Sequence, residues 1–249
     1  MTALGDRWTE ARLALTLLTR LPAGPFPDQP IPIGNTAWAF PLVGLLVGLL
    51  SGLVYLTTAT ALPPMIAAIL AVGAAVLLTG ALHEDGLADV ADGFGGGQDR
   101  AAKLDIMRDS RIGTYGVVAL ILAFGVIISA MAEMPRTAAS LPIFAAIGAM
   151  SRSAMLVPMA LLPPARTDGL GQNATLPIGL RFWTGLGLGI IAALLTLPIL
   201  VLVVASTTLA LLWLAKRQIG GQTGDVLGAT QKLAECAAWA TTAAYVSAS

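Results

Sequence analysis

The sequence predicts an all-α protein, a polytopic helix bundle embedded in a membrane. Of its 249 residues, 56% are hydrophobic and only 11% are charged, whereas an ordinary soluble domain carries roughly a quarter charged residues. The mean hydropathy is +0.81, and several uncharged runs reach about 20 residues, enough for a helix to cross a bilayer core of roughly 30 Å. A soluble globular enzyme is therefore excluded, and residues 1–249 are predicted to form one integral membrane domain.

Seven transmembrane helices are predicted from the uncharged runs. The longest run extends over 34 residues before Lys216, which corresponds to about 51 Å of helix and is too long for one crossing. We divide it near Pro198, because an interior proline interrupts a helix. The predicted spans are 42–62, 65–82, 113–132, 138–162, the two halves of 182–215, and 226–246.

The distribution of basic residues predicts the orientation of this bundle. Lys and Arg accumulate in the cytoplasmic loops of membrane proteins, and with the N-terminus inside only Arg136 falls in an outer loop. The acidic segment 83–112 is then cytoplasmic. Residues 1–35 mix Trp8 and several leucines with arginines, which predicts a short helix lying at the cytoplasmic interface, followed by a proline-rich stretch.

Charge balance and rare residues exclude several classes of partner and site. The 14 Lys and Arg residues balance 14 Asp and Glu residues, so no charge excess points to a nucleic-acid partner. The single cysteine, Cys236, excludes an intrachain disulfide, and the single histidine, His83, cannot form a zinc site without cysteines nearby. We interpret His83 as a polar residue satisfied at the membrane boundary, with a general base as the alternative.

The acidic residues are concentrated in one segment. Half of them lie between Glu84 and Asp109, and Asp85, Asp89 and Asp92 have the spacing i, i+4, i+7, which places them within about 60° of one another on a helix. Like charges so close repel each other unless a cation intervenes, and all-oxygen ligands favour Mg²⁺ or Mn²⁺. The sequence therefore predicts a metal site on this face; a plain solvated acidic loop is the alternative.

Cationic side chains follow the acidic face directly. Lys103, Arg108 and Arg111 surround Asp109, and such cations beside a metal site are suited to binding phosphate oxygens. The alternative is that these residues only enforce membrane topology.

Two further groups of polar residues are candidates for substrate binding. Thr223 and Asp225 lie directly before the last apolar run, where they can cap its helix or help to place a phosphate at its N-terminus. Arg152 lies inside a predicted span, where a charged residue normally faces a cavity or a partner acid.

Four motifs resemble those of a known family. The sequence contains LLTRLP near its start, then HEDGLADVADGFGGG, RDSRIGTYG and GGQTGDVLGA, in that order. Together they resemble the cobalamin synthase family, also called adenosylcobinamide-GDP ribazoletransferase, and the resemblance covers most of the chain. It implies an Mg²⁺-dependent enzyme of the bacterial inner membrane. Such enzymes join adenosylcobinamide-GDP to α-ribazole or its 5′-phosphate, giving adenosylcobalamin or its phosphate and releasing GMP.

The resemblance also implies roles for the candidate residues. Asp85, Asp89 and Asp92, together with Glu84, are expected to hold Mg²⁺ against the GDP pyrophosphate, and Asp109 to belong to the catalytic group. The residues expected to contact substrate are Lys103, Arg108, Arg111, Arg152, Thr223 and Asp225.

Two other functions stay open at the level of sequence. A transferase acting on CDP-activated lipid donors also places aspartates on helices at the cytoplasmic face, although its motif has Arg where this chain has Asp89. A divalent-cation transporter would line its path with acids, but here they follow a span instead of lying at mid-bilayer depth. Gly44, Gly48 and Gly52 form a small-residue stripe typical of helix packing, which would also allow a homo-oligomer.

Overall fold

The computed structural model describes residues 3–25, 31–166 and 174–248, and this part of the chain is helical without a β-strand. Short 3-10 turns at Ala37–Ala39 and Ala138–Ser140 precede two of the helices. The α-helices of the described residues are α1 (Ala3–Leu18), α2 (Ile33–Thr36), α3 (Phe40–Thr58), α4 (Pro64–Thr79), α5 (Leu82–Gly96), α6 (Arg100–Ile106), α7 (Thr114–Ala132), α8 (Leu141–Ala154), α9 (Leu156–Leu161), α10 (Leu180–Leu194), α11 (Ile199–Ile219) and α12 (Gly224–Ala248).

Four helical segments of the described residues are long and apolar enough to cross a membrane: Ile33–Thr58, Thr114–Ala132, Ala138–Leu161 and Ile199–Ile219. A fifth results if α4 and α5 are counted together as one bent span. The all-helical membrane fold is thus confirmed, but the number of seven spans is not. The reason is that α10 has only 15 residues, about 22 Å of helix, and that α12 carries charged side chains along its length.

Prolines lie at the start of two of the apolar helices. Pro198 lies at the N-cap of α11, after α10 has ended at Leu194, so the predicted division of the long apolar run is confirmed. Pro63 is the N-cap of α4 and Pro64 its first residue. Proline is favoured at these positions because the first N–H groups of a helix have no partner within the helix.

The second predicted span ends in a sharp bend. Gly80 and Ala81 both adopt left-handed backbone conformations, with φ values of 65° and 59°, which a right-handed helix cannot contain. The axis of α5 is turned by 90° from that of α4. Consequently α5 does not continue in the direction of α4, and the carboxylates on α5 do not lie along the axis of the preceding apolar helix.

The glycine stripe of α3 packs within the chain. A Cβ atom at Gly44 or Gly48 would collide with backbone atoms of Gly148 and Phe144 on α8, and one at Gly52 would lie 2.9 Å from the Phe144 ring. The backbones of α3 and α8 are therefore in close contact, as small residues permit. This explains the stripe without a second copy of the chain, and a homo-oligomer stays a prediction.

Helix α1 is fixed to the bundle by a buried acid. Glu10 is 4% exposed, and it accepts hydrogen bonds from Arg181 at 2.6 Å, Trp38 at 2.8 Å and Arg7 at 3.0 Å. Arg181 opens α10, so α1 and α10 are joined through one carboxylate. Despite the burial of this group, these donors lower the pKa of Glu10, because they favour the charged form.

Candidate active site

Helices α5 and α12 touch backbone to backbone at two glycines. A Cβ atom built on Gly86 would lie 2.8 Å from the carbonyl oxygen of Asp225 and 3.2 Å from the Cα atom of Gly228. One built on Gly228 would lie 3.3 Å from the carbonyl oxygen of Leu82. Because neither position has room for a side chain, the first turn of α12 lies directly against α5.

This contact brings three aspartates into one electrostatic group. Asp89 is half-buried on α5, and burial together with the charges of Asp225 and Asp85 raises the pKa of Asp89 to about 7. Burial also raises the pKa of Asp225, in the first turn of α12. Since like charges and loss of water both disfavour carboxylates, this group is suited to binding a cation.

One cation of the chain already lies beside this group. Arg166 donates a hydrogen bond to Asp225 at 3.1 Å, and the hydroxyl of Thr223 donates to the same carboxylate oxygen at 3.1 Å. Thr223 also accepts the backbone N–H of Val226 at 3.3 Å and so caps α12, as predicted. The charges of Asp85, Asp89 and Asp225 are therefore near one arginine, Arg166.

The position of Arg166 depends on a pairing of two loops. The backbone N–H of Ala165 donates to the carbonyl of Gln222, and the N–H of Gln222 donates to that of Pro163, each at 2.8 Å. Arg100 of α6 donates to the carbonyl of Ala165 at 3.1 Å. Sequence reasoning missed Arg166 as a site residue, because nothing local indicates a partner 59 positions away.

Asp92 joins two helices through backbone hydrogen bonds. Its carboxylate is 8% exposed and accepts the backbone N–H groups of Gly113 at 2.7 Å and of Gly116 at 2.9 Å. These groups belong to the start of α7, whose first N–H groups lack partners within the helix. Asp92 thus fixes α7 to α5, and its charge also acts on Asp89; its predicted role as a metal ligand stays a prediction.

Glu84 belongs to a buried ion-pair network. Its carboxylate lies 2.7 Å from the ammonium of Lys232, which lies 2.6 Å from Glu235. All three side chains are at most 12% exposed. Glu84 is therefore paired with Lys232, and its predicted role as a metal ligand stays a prediction.

Arg152 belongs to this same network. It is 3% exposed, its guanidinium donates to the Gly148 carbonyl at 3.4 Å, and the acids whose charges act on it are Glu235 and Glu84. Arg152 and Glu235 also line the same small cavity, so both predicted surroundings, a cavity and an acid, are present. The predicted contact of Arg152 with a phosphate stays a prediction.

The remaining predicted residues lie in α6 and in the segment between α6 and α7. Asp109 accepts a hydrogen bond from Arg111 at 2.6 Å, and Arg111 hydrogen bonds lower the pKa of Asp109 to about 2. Arg108 is exposed, and Lys103 packs on Gly97. The bond from Gly113 to Asp92 holds this segment against α5. The predicted catalytic role of Asp109 and the predicted substrate contacts of Lys103, Arg108 and Arg111 stay predictions.

The candidate metal ligands do not form a closed cage. Within residues 3–25, 31–166 and 174–248, no group of three or more His, Cys, Asp or Glu side chains is arranged to hold a metal ion. Mg²⁺ commonly takes only one or two carboxylates and completes its shell with water and substrate phosphates. Asp89 and Asp225 lie on facing helices, and the nearby Arg166 does not balance all the negative charge of the acidic group. Their carboxylate oxygens are suitable ligands for such an open site.

The fold and the site together define a membrane-type helix bundle with a carboxylate-rich site where two helices meet. Within this class, the chain belongs to the cobalamin-5-phosphate synthase family (CobS), whose family model matches residues 10–243. The match leaves no ground for the two alternatives considered from sequence, a CDP-alcohol transferase and a cation transporter.

Curated relatives resemble almost the whole chain. A protein of Bradyrhizobium diazoefficiens named adenosylcobinamide-GDP ribazoletransferase is 44% identical over 233 residues, covering 91% of this chain and 90% of its own. Proteins of the same name from Sinorhizobium medicae and Mesorhizobium japonicum are 40% and 41% identical, covering 95% and 92% of this chain and 97% and 90% of their own. No solved structure matches the chain.

Proposed function

We propose that this protein is an adenosylcobinamide-GDP ribazoletransferase. It joins adenosylcobinamide-GDP to α-ribazole or its 5′-phosphate, forming adenosylcobalamin or its phosphate and releasing GMP. The observation that carries the proposal is the packing of Gly86 against Asp225, which unites two of the family's motifs in a single acidic group. The names of the relatives supply the reaction.

The reaction is a phosphoryl transfer. A ribose hydroxyl of ribazole attacks the phosphorus attached to cobinamide, the new P–O bond forms, and the bond between the two phosphates of GDP breaks. GMP leaves with the bridging oxygen, and the proton of the attacking hydroxyl passes to a carboxylate of the acidic group. Such reactions depend mainly on positioning and on stabilising charge on the phosphate oxygens.

Asp89 and Asp225 are proposed to hold Mg²⁺, with Asp85 beside them. When bound, the ion supplies positive charge across the two phosphates. Arg166 and Thr223 orient the Asp225 carboxylate, and the backbone contact at Gly86 fixes its distance from Asp89. Asp92 acts indirectly, because it holds the start of α7 against α5.

The reaction class is tested by measuring GMP release from the detergent-solubilised protein. With adenosylcobinamide-GDP, α-ribazole and Mg²⁺, we expect turnover that excess EDTA abolishes and added Mg²⁺ restores. The expectation follows because water and substrate oxygens alone cannot neutralise three acids and a pyrophosphate. Turnover that persists in EDTA contradicts the metal assignment, and no turnover in folded protein contradicts the function.

We propose in addition that the chain lies in the bacterial inner membrane with the acidic group facing the cytoplasm. In a Cys236→Ser background, Gln98→Cys is expected to react with a membrane-impermeant maleimide in inverted vesicles but not in spheroplasts. Thr137→Cys, which is exposed beside Arg136, is the matched control and should react in spheroplasts only. The reverse pattern contradicts the orientation.

A further inference from the structure

A small apolar cavity lies beside the acidic group. It is bounded by α1 through Leu17, by α3 through Phe40, by α5 through Leu82 and His83, and by α12 through Leu227 and Gly228, with further apolar residues completing the wall. The space between these residues is about 430 Å³ including its open part, and about 40 Å³ of it admits the centre of a water molecule. The lining of this cavity is mainly apolar with few polar groups, as in cavities that bind small molecules.

His83 supplies the polar group of this cavity. It is 1% exposed, and its Nε2 atom has no hydrogen-bond partner. Among the described residues that line the cavity, His83 is the one whose side chain carries polar atoms. A buried polar atom without a partner costs free energy, so an occupant that offers Nε2 a hydrogen bond removes that cost.

The cavity is connected to the acidic group by the chain itself. Gly224 also lines it and directly precedes Asp225, while His83 is two residues before Asp85 on the same helix. Gly228 lies against Gly86 and His83, with a built Cβ only 3.4 Å from the Cα atom of each. A molecule in the cavity therefore lies against Gly224, the residue that directly precedes Asp225.

We propose that this cavity binds the dimethylbenzimidazole base of the ribazole acceptor, with the imidazole N–H of His83 donating to the ring nitrogen that carries no ribose. The inference rests on the proposed function and adds the acceptor subsite to it. The base is a flat, apolar bicycle with one free acceptor atom, which corresponds to an apolar wall with one free polar atom. Its ribose then extends past Gly224 to Asp225.

The other substrate does not suit this cavity. Guanine carries several donors and acceptors at its edges, which an apolar wall with one imidazole would leave without partners at a cost of about 1–3 kcal/mol each. The corrin ring is far larger than the space between α1 and α12. The cavity therefore discriminates for the acceptor base and against the donor.

Equilibrium dialysis of the purified protein with α-ribazole alone, and with free dimethylbenzimidazole, tests the subsite. Leu17→Trp fills the cavity from α1 and is expected to weaken binding of both probes at least tenfold. Leu15→Trp, at another half-buried leucine of α1 that does not line the cavity, is the matched control and should bind as the parent does. His83→Leu is expected to weaken binding about five- to tenfold, and His83→Gln, which keeps an N–H donor, should retain more of it.

In turnover assays, the same two cavity variants are expected to raise KM for ribazole and leave KM for adenosylcobinamide-GDP unchanged. Parent-like ribazole binding and KM in folded Leu17→Trp overturn the subsite, as does a rise in the corrinoid KM instead. If the parent binds ribazole but releases no GMP, and Leu17→Trp loses that binding, the subsite stands and the proposed reaction fails. Parent protein that binds neither probe overturns the subsite whether or not GMP is released.

Discussion

Replacing Asp89 by Asn is expected to reduce GMP release at least about 100-fold at saturating Mg²⁺, while the protein inserts and folds normally. The change keeps the shape of the side chain but removes the charge at the centre of the acidic group, where Asp85 and Asp225 are its neighbours. Stabilisation of phosphoryl transfer by a metal ion is worth several kcal/mol, and each 1.4 kcal/mol corresponds to a factor of ten in rate.

The stability of Asp89→Asn should change in the opposite direction. Because the substitution removes one of three adjacent negative charges, the thermal midpoint in EDTA is expected to equal or exceed that of the parent. Asp105→Asn, an exposed acid on α6, serves as the control and should leave turnover unchanged. Near-parental turnover of folded Asp89→Asn would remove Asp89 from the mechanism.

Replacing Lys232 by Met is expected to destabilise the bundle by about 3–5 kcal/mol, because it leaves Glu84 and Glu235 buried without their shared cation. The ammonium lies within 2.7 Å of both carboxylates, and Arg152 is the cation left nearby. The midpoint of thermal unfolding in detergent, followed by circular dichroism, measures the effect.

A triple variant tests whether the loss of stability comes from the unbalanced charges in this ion-pair network or from the changed shape of the side chains. Combining Lys232→Met with Glu84→Gln and Glu235→Gln removes the two orphaned charges together with the cation, so most of the lost stability should return. Turnover should return with it, since none of the three residues is assigned to chemistry. If the triple variant folds well but has no activity, Glu84 acts on substrate or metal after all.

The sequence by itself determined the class of the fold. High apolar content and uncharged runs of membrane length require helices, because a bilayer offers no partner to an unpaired backbone group. The break at Pro198 was also predictable, since proline cannot continue a helix. The number of spans was not, because α10 forms only 15 helical residues and α12 carries Asp225, Lys232 and Glu235.

The sequence also located the acidic segment and, through its helical spacing, the common face of Asp85 and Asp89. Only the tertiary structure decided how each acid is used. Asp92 accepts the N–H groups of α7, Glu84 is paired with Lys232, and Asp225, on a helix distant in the sequence, joins Asp85 beside Asp89. The physical reason is that periodicity assigns a residue to a face of its own helix, whereas the partner of that face depends on where helices pack. Here the packing is fixed by Gly86 and Gly228, two residues without side chains, whose contact no pattern within either helix encodes.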